Sequence, residues 1–412
     1  MANAEPLRRP RPAPARPRSP LLILFLTVFI DLLGFGIVIP FLPMYAHLMN
    51  VGAVGIGLVL AAYSLAQFLS APLLGRLSDH FGRRPIIMLG LLGSSLGYLI
   101  YGFAASFAWL LFSRLVHGAC AGTVSTAQAY VADTTEESKR AHGMGMIGAA
   151  FGLGFVLGPA LGGLLGHGDL REPVFFAAAL TFANLVFAAI ALPESHPPNP
   201  AARLDLASVA EPLLILPRQL TRHRLSRLFS IAFLGTFAMA GFEATFALMA
   251  PRIYGYGAAG VGWMLAYAGL TQAIVQGYVL RKVANPVGES RLIALGMIAF
   301  ALGLVPMASV SSRSILFVLL ALLSIGYGLA SPSIASLISK RSERHQQGEV
   351  LGVNQSALSL ARICGPIAAG FAYEMIGPAA AYAGGGAVAL AAFALALGAE
   401  PARKALKERS PR

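Results

Sequence analysis

The chain has 412 residues, of which 56% are hydrophobic and only 12% charged, with a formal net charge of +13. A soluble domain carries about 25% charged residues, and a disordered chain needs low hydrophobicity, so both classes are excluded and a polytopic membrane protein remains. A spanning helix needs about 20 mainly apolar residues. Taken in chain order, twelve runs qualify: 21–45, 52–74, 85–104, 107–131, 143–166, 173–193, 228–250, 258–280, 291–310, 314–338, 347–373 and 378–398. None alternates as the strands of a membrane barrel would. The predicted fold is therefore an all-α integral membrane protein with twelve transmembrane helices.

Residues 1–19 carry Arg8, Arg9, Arg11, Arg16 and Arg18 among prolines and read as a solvated basic tail with polyproline-II bias. The apolar run that follows is too long for a signal-peptide core, contains Asp31 and lacks a small-residue cleavage site, so it reads as a first spanning helix. Residues 20–193 form a first six-helix half. The longest polar interval, 194–227, reads as a linker, whose stretch LASVAEPLLILPRQL is expected to lie on the membrane surface. Residues 228–398 form a second six-helix half, and 399–412 a second basic tail. Cys120 and Cys364 fall in apolar runs with neither a disulfide framework nor metal-ligand spacing, so no metal and no cofactor is expected.

The 31 Lys and Arg residues set the orientation. They lie in the tails and in the loops of one side, except for Arg171, Arg252 and Arg313 on the other side and Arg114 and Arg362 inside helices. The positive-inside rule puts both termini in the cytoplasm, and the same residues can hold anionic lipid head groups. The basic balance is a topology signal, not a nucleic-acid footprint.

The two halves resemble each other. GRLSDHFGRRP follows the second run and RKVANPVGESR the eighth, with Gly82 aligned to Gly288; GPALGG in the fifth run aligns to GPIAAG in the eleventh. Two similar halves predict two pseudo-symmetric six-helix bundles with a substrate site at the midplane between them. In the first loop motif, Gly75 allows close helix approach, Gly82 suits a turn that needs positive φ, and Asp79 is an anion at a helix end. Arg83, Arg84 and Asp133 supply its partners. The second copy has Asn285 in place of Asp79 and Arg281 in place of Gly75, so the charged cluster is expected in the first half only. In the fifth run, Gly145, Gly154, Gly158, Gly162 and Gly163 give a small-residue surface for close packing, and Pro159 can bend the helix. This helix is expected to pivot against the second half.

Together with Arg114-x-x-His117-Gly118 in the fourth run, these motifs stand in order on matching helices, and the whole membrane length of the chain resembles the major facilitator superfamily. The fifth-run pattern looks like the signature of its drug:proton antiporters. DLLGFGIVIPFLP (Asp31 to Pro43) and AYVADTT (Ala129 to Thr135) look like its tetracycline-efflux branch. The resemblance implies the major facilitator fold and antiport, and makes the Asp79 cluster a latch that breaks and re-forms as the halves rock. It also implies that Asp31 occupies the place of the first-helix acid of tetracycline-efflux proteins, and that Arg114 serves proton handling through a nearby acid. Gly97 stands where those proteins carry an acid in the third helix. A tetracycline–metal site is thus not expected, and an amphipathic, multidrug-type substrate is the better fit.

An ionisable group at mid-bilayer costs roughly 2.5–3.5 kcal/mol on insertion scales, so each one needs a reason. Asp31, Arg114, Glu243 and Arg362 are such groups, with His117 beside Arg114 on one helix face. A carboxyl balanced between burial and a neighbouring cation can bind and release protons near neutral pH, which fits Asp31 for proton coupling. Arg114 cannot lose its proton and must be paired. Glu243 either binds a cationic compound or carries a proton. Gln272 and Gln276 share one face, and Gln355 shares another with Arg362; these are candidate polar contacts of the cavity, with Phe237, Phe246 and Tyr327 as candidate aromatic walls.

The function expected is a secondary transporter that exports small amphipathic compounds in exchange for protons by alternating access. No G-x-x-x-x-G-K-[ST] motif is present to couple ATP, and no loop carries a catalytic arrangement, so an enzyme or sensor on this scaffold is not expected. The alternative is a proton-coupled symporter or facilitator for a sugar or organic acid. The partners expected are the substrate, protons and membrane lipids, with no nucleic acid; the chain is expected to act as a monomer in the cytoplasmic membrane of a bacterium.

Overall fold

The computed structural model describes residues 20–166, 168–197, 225–342 and 347–398, and among them there is no strand. The two basic tails, and residues 198–224 of the linker with its expected surface segment, lie outside the described residues, and the last linker residues already begin the next helix. The first run is two helices, α1 (Pro20–Val38) and α2 (Phe41–Leu48). They break where Pro40 has no N–H for the helical ladder and crowds the preceding turn. α3 (Ala53–Phe81) and α4 (Arg83–Gly102) meet at Gly82. The fourth run divides into α5 (Phe107–Ala119) and α6 (Thr123–Thr134) around a tight turn in which the Gly122 N–H donates to the Cys120 carbonyl at 2.7 Å. α7 (Glu137–Leu165) and α8 (Glu172–Ala191) complete the first half.

The second half opens with α9 (Ser226–Tyr254). Its eighth run is α10 (Ala258–Ile274), a π-helical turn at Val275–Val279, and α11 (Leu280–Val287). α12 (Glu289–Leu304), α13 (Arg313–Arg341), α14 (Gln347–Met375) and α15 (Pro378–Leu397) follow. Ten segments among the described residues are long and apolar enough to cross a membrane. The ninth and eleventh runs are not among them: α12 has only 16 residues, and α14 carries Asn354, Gln355, Ser359 and Arg362 within its apolar stretch.

Helix packing repeats between the halves. α1 lies on α7 and α8, and α4 on α8; correspondingly α9 lies on α14 and α15, and α12 on α15. Between the halves, α3 packs on α14 and α7 on α10. These two seams exchange under a two-fold operation. The glycine surface of α7 mostly serves its own half. A methyl at Gly158 would stand 2.6 Å from the Gly36 backbone of α1, one at Gly162 2.6 Å from the Ile37 carbonyl, and one at Gly154 2.9 Å from Leu32 Cβ. Gly163 faces the second half, where a methyl on Gly262 would lie 2.7 Å from the Gly163 Cα and from the Pro159 carbonyl. The helix continues through Pro159.

Glycines also report how the two seams differ along their length. At the end remote from the basic loops the seams are closed: Gly163 abuts Gly262, Gly57 abuts the Pro366 carbonyl, and Gly370 abuts the Ala53 carbonyl. Towards the basic end, a methyl on Gly75, Gly145, Gly148, Gly152, Gly277 or Gly352 would meet nothing within 4 Å. The glycine contacts that cross the seams therefore lie towards the remote end, where the halves are closed on each other, and none of these basic-end glycines makes one. Gly75, expected to bring helices together, faces open space.

Candidate functional site

At the basic end, Gly82 has a φ of +100° and Gly288 one of +83°, conformations that glycine adopts freely and other residues rarely do. The turn at Gly82 delivers Arg83 into a buried position. There its Nη1 lies 2.5 Å from Asp79 Oδ1 and donates to Ser78 Oγ at 2.6 Å, while its Nε donates to Asp133 Oδ2 at 2.8 Å. All of these groups belong to the first half. Arg84 does not join them: its guanidinium donates to the Ala189 carbonyl at the end of α8. Glu194, missed in the sequence, caps α4 by accepting the Arg83 N–H at 2.8 Å and the Arg84 N–H at 3.2 Å. A carboxylate satisfies the free N–H groups of a helix start and suits its dipole, and an acid just beyond α8 was the available signal.

The second half is not uncharged at this turn. Glu289, the residue after Gly288, pairs with Lys340 and accepts a hydrogen bond from Ser336 Oγ at 3.2 Å. Lys340 holds the Glu289 carboxyl below its ordinary range. Arg83 with Asp133 and Glu289 with Lys340 join the same pair of helices in each half with the charges exchanged. Aligning Asp79 to Asn285 hid this, because the partner lies on another helix.

Deeper in the first half, Asp31 of α1 has the hydroxyls of Ser94 on α4 and Thr123 on α6 beside its carboxyl. Tyr63 of α3 stands within electrostatic reach of Asp31 and Arg114 in its own half and of Arg362 in the other. Arg114 differs from expectation. No carboxylate lies within 4 Å of it among the described residues; its guanidinium carbon sits 5.1 Å from the Tyr101 ring centroid and 5.8 Å from that of Tyr98. Aromatic faces attract a desolvated guanidinium. Its Nε reaches Ser113 Oγ at 3.4 Å, and Nη2 has no hydrogen-bond partner. His117 is boxed by the rings of Tyr98, Tyr63 and Phe35 at 4.7, 4.9 and 6.1 Å, its Nδ1 unpartnered. Gly97 makes this box possible, since a methyl there would stand 2.7 Å from His117 Cβ. The clash is with the Cβ and backbone of residue 117 and the Ser113 carbonyl, so the close approach of α4 and α5, not the imidazole itself, excludes a side chain at 97.

In the second half, Glu243 of α9 and Arg362 of α14 stand within electrostatic reach of each other, and Tyr327 of α13 within reach of both. The Tyr327 and Thr236 hydroxyls are 3.3 Å apart. They line a cavity of about 50 Å³ with Ser331 and Asn354, whose Oδ1 has no hydrogen-bond partner. A polar site of that size has room for water. Gln272 lies on α10 and Gln276 in the π-helical turn below it; Gln355 is exposed on α14. The Phe237 ring lies tilted against that of Phe233, centroids 6.0 Å apart, beside the α14 seam. Phe246 is fully buried in the second-half core against Phe242 and forms no wall of a cavity. On a helix apolar on every side, sequence period does not mark which phenylalanine faces inward.

The sequence profile of the Major Facilitator Superfamily matches residues 24–286 and 228–412. The Escherichia coli tetracycline resistance protein, class E, is 33% identical over 84% of the chain and 86% of its own length. Multidrug resistance protein 2 of Bacillus subtilis is 29% identical over 86% of the chain and 88% of its own length. The crystal structure of the human organic anion transporter MFSD10 superposes with a TM-score of 0.70 at 30% identity, covering 91% of this chain and 98% of that one.

Proposed function

The chain belongs to the major facilitator superfamily of multi-pass membrane transporters, and from that premise we propose that it exports small amphipathic compounds in exchange for protons by alternating access. The observation that carries the reading is one half-buried acid inside each half, Asp31 and Glu243, with Tyr63 within electrostatic reach of Asp31 and Arg362, and Arg362 within reach of Glu243. With the basic end in the cytoplasm, as the positive-inside rule expects, and the chain in a bacterial cytoplasmic membrane, a cleft that opens at that end admits a compound from inside the cell. Substrate arriving near Asp31 releases its proton to the cytoplasm; closure of the basic end and opening of the other lets the compound leave and a proton return. The Asp79–Arg83–Asp133 cluster acts as the latch of the basic end. The tetracycline and multidrug resistance relatives support export of such compounds, and the chain works as a monomer.

One observation favours a more specific substrate. Neither Arg114 nor Arg362 has a carboxylate within 4 Å among the described residues, so a compound bringing its own anionic group would give either arginine a partner. The human relative is named an organic anion transporter, which supports the same choice.

Proton flux in inverted vesicles with an acid interior tests the proposal, with cationic, zwitterionic and anionic amphipaths added in turn. The native protein should release protons on addition of a transported compound, and Asp31→Asn should remove the release while leaving the protein folded. If Asp31→Asn is unaffected and Glu243→Gln is silent, the coupling acid is Glu243. Accumulation of a sugar or organic acid with protons in right-side-out vesicles, and no response to any amphipath, would replace export with symport.

A further inference from the structure

Glu374 sits near the last turn of α14, in the second half, yet its hydrogen bond is to the first. Its Oε2 accepts the Val54 N–H at 2.9 Å. Val54 is the second residue of α3, and the first four N–H groups of a helix have no partner within it. The N-cap position of α3 is Gly52, which has no side chain to offer. Gly52 has a φ of −70° and a ψ of 174°, extended backbone that any residue adopts, so its conformation does not demand glycine. The space does: a methyl there would meet both carboxylate oxygens of Glu374 and its Cδ. The start of α3 is therefore shaped to receive an acid from the other half.

We infer that Glu374 is a helix cap supplied across the two halves, a positioning residue that holds the end remote from the basic loops closed. The contact belongs to the α3–α14 seam, where Gly57 abuts Pro366 and Gly370 abuts Ala53, and it cannot persist if those helices part. A carboxylate cap contributes both a hydrogen bond and a favourable dipole interaction. Because Glu374 is exposed, water can replace it at the Val54 N–H when the seam opens. Its loss thus leaves the fold intact and moves the balance between access states. This inference rests on the alternating-access reading, so its test uses distances rather than transport.

Spin labels at Phe103 and Val305, both exposed at the closed end, would report its opening. A second pair at Phe81 and Leu351, exposed at the basic end, would report the reciprocal closure, with Cys120→Ser and Cys364→Ser as background. In lipid nanodiscs, Glu374→Ala should raise the population with the remote end open about fivefold, within the range of cap losses, and Glu374→Gln by less. Gly52→Ala deletes no group and should act like Glu374→Ala by displacing the carboxylate. Val54→Pro removes the donor, and combined with Glu374→Ala should shift the populations no further than either alone. A native mixture of distances that none of these changes moves would overturn the cap. A shift with Glu374→Ala but none with Gly52→Ala would also overturn it, by showing that the acid acts elsewhere. One narrow distance in the native protein and in every variant would overturn alternating access itself.

Discussion

The turn after α3 and the turn after α11 have the same backbone and opposite electrostatics. Both pass through a glycine at positive φ, Gly82 and Gly288, and both are followed at once by a charged residue that reaches to the end of a helix in the same half. In the first half that residue is a buried arginine held by two carboxylates; in the second it is a glutamate held by a lysine whose side chain is 64% exposed. Duplicated architecture fixes where an ion pair can stand, not its polarity or its burial. Burial decides its energetic weight. A buried charge stripped of its partner costs several kcal/mol, whereas an exposed pair contributes about 0–1 kcal/mol.

The sharpest way to break this contrast is Arg83→Ala. It leaves Asp79 and Asp133 facing each other without their cation, and an upper bound of about 3–5 kcal/mol applies to a fully buried pair. Thermal unfolding in detergent should show a clear fall in midpoint, with Asp133→Asn falling less. A midpoint equal to that of Lys340→Ala would remove the distinction between the halves. Packing, unlike charge, should be symmetric. Gly158 abuts Gly36 of α1, and its aligned partner Gly365 abuts the Phe237 carbonyl of α9. Gly158→Ala and Gly365→Ala should each cost about 1–3 kcal/mol by overpacking, measured by the same unfolding assay. Gly145→Ala, which meets nothing in this state, should leave the midpoint unchanged while slowing turnover if closure of the basic end brings a neighbour against it. The Glu194 cap has its second-half counterpart in Glu289, already in the first turn of α12, so Glu194→Ala should cost about 1 kcal/mol and unfold α4 no more than that.

What the sequence made legible follows the strength of each physical constraint. The twelve runs are readable because lipid demands uninterrupted apolar length, and Gly82 because positive φ selects glycine. Asp31, Arg114, Glu243 and Arg362 stand out because charges in such runs are costly. Their neighbours do not: Ser94, Thr123 and Tyr63 are ordinary helix residues until the fold brings them to Asp31. The sequence calls for an acid beside Arg114, but two tyrosine rings from the preceding helix meet it instead, and a cation–π pair has no spacing signature. The π-helical turn at Val275–Val279 and the break at Cys120–Gly122 are local choices that an apolar run does not announce. Glu374 sits past the last charged motif and gains its meaning only from α3, more than three hundred residues earlier.

The smallest effect sharpens the comparison most, because it tests polarity alone. Lys340→Ala should destabilise the fold by no more than about 1 kcal/mol, as for other exposed pairs. Its pH dependence carries the sign. Lys340 holds the Glu289 carboxyl below its ordinary range, so the pair stabilises the fold above the unfolded-state value of about 4.3 and loses that contribution as pH falls through the lower folded-state value. The difference between the native protein and Lys340→Ala should therefore be present at neutral pH and vanish on strong acidification. Arg83→Ala loses its partners' attraction on acidification as well, but the buried guanidinium of the native protein then becomes the unpaired charge. Acid should thus narrow the gap for Lys340→Ala to nothing and reverse it for Arg83→Ala. A gap that narrows equally for both would mean that Arg83 is as well hydrated as Lys340, and that the two turns differ in sign alone.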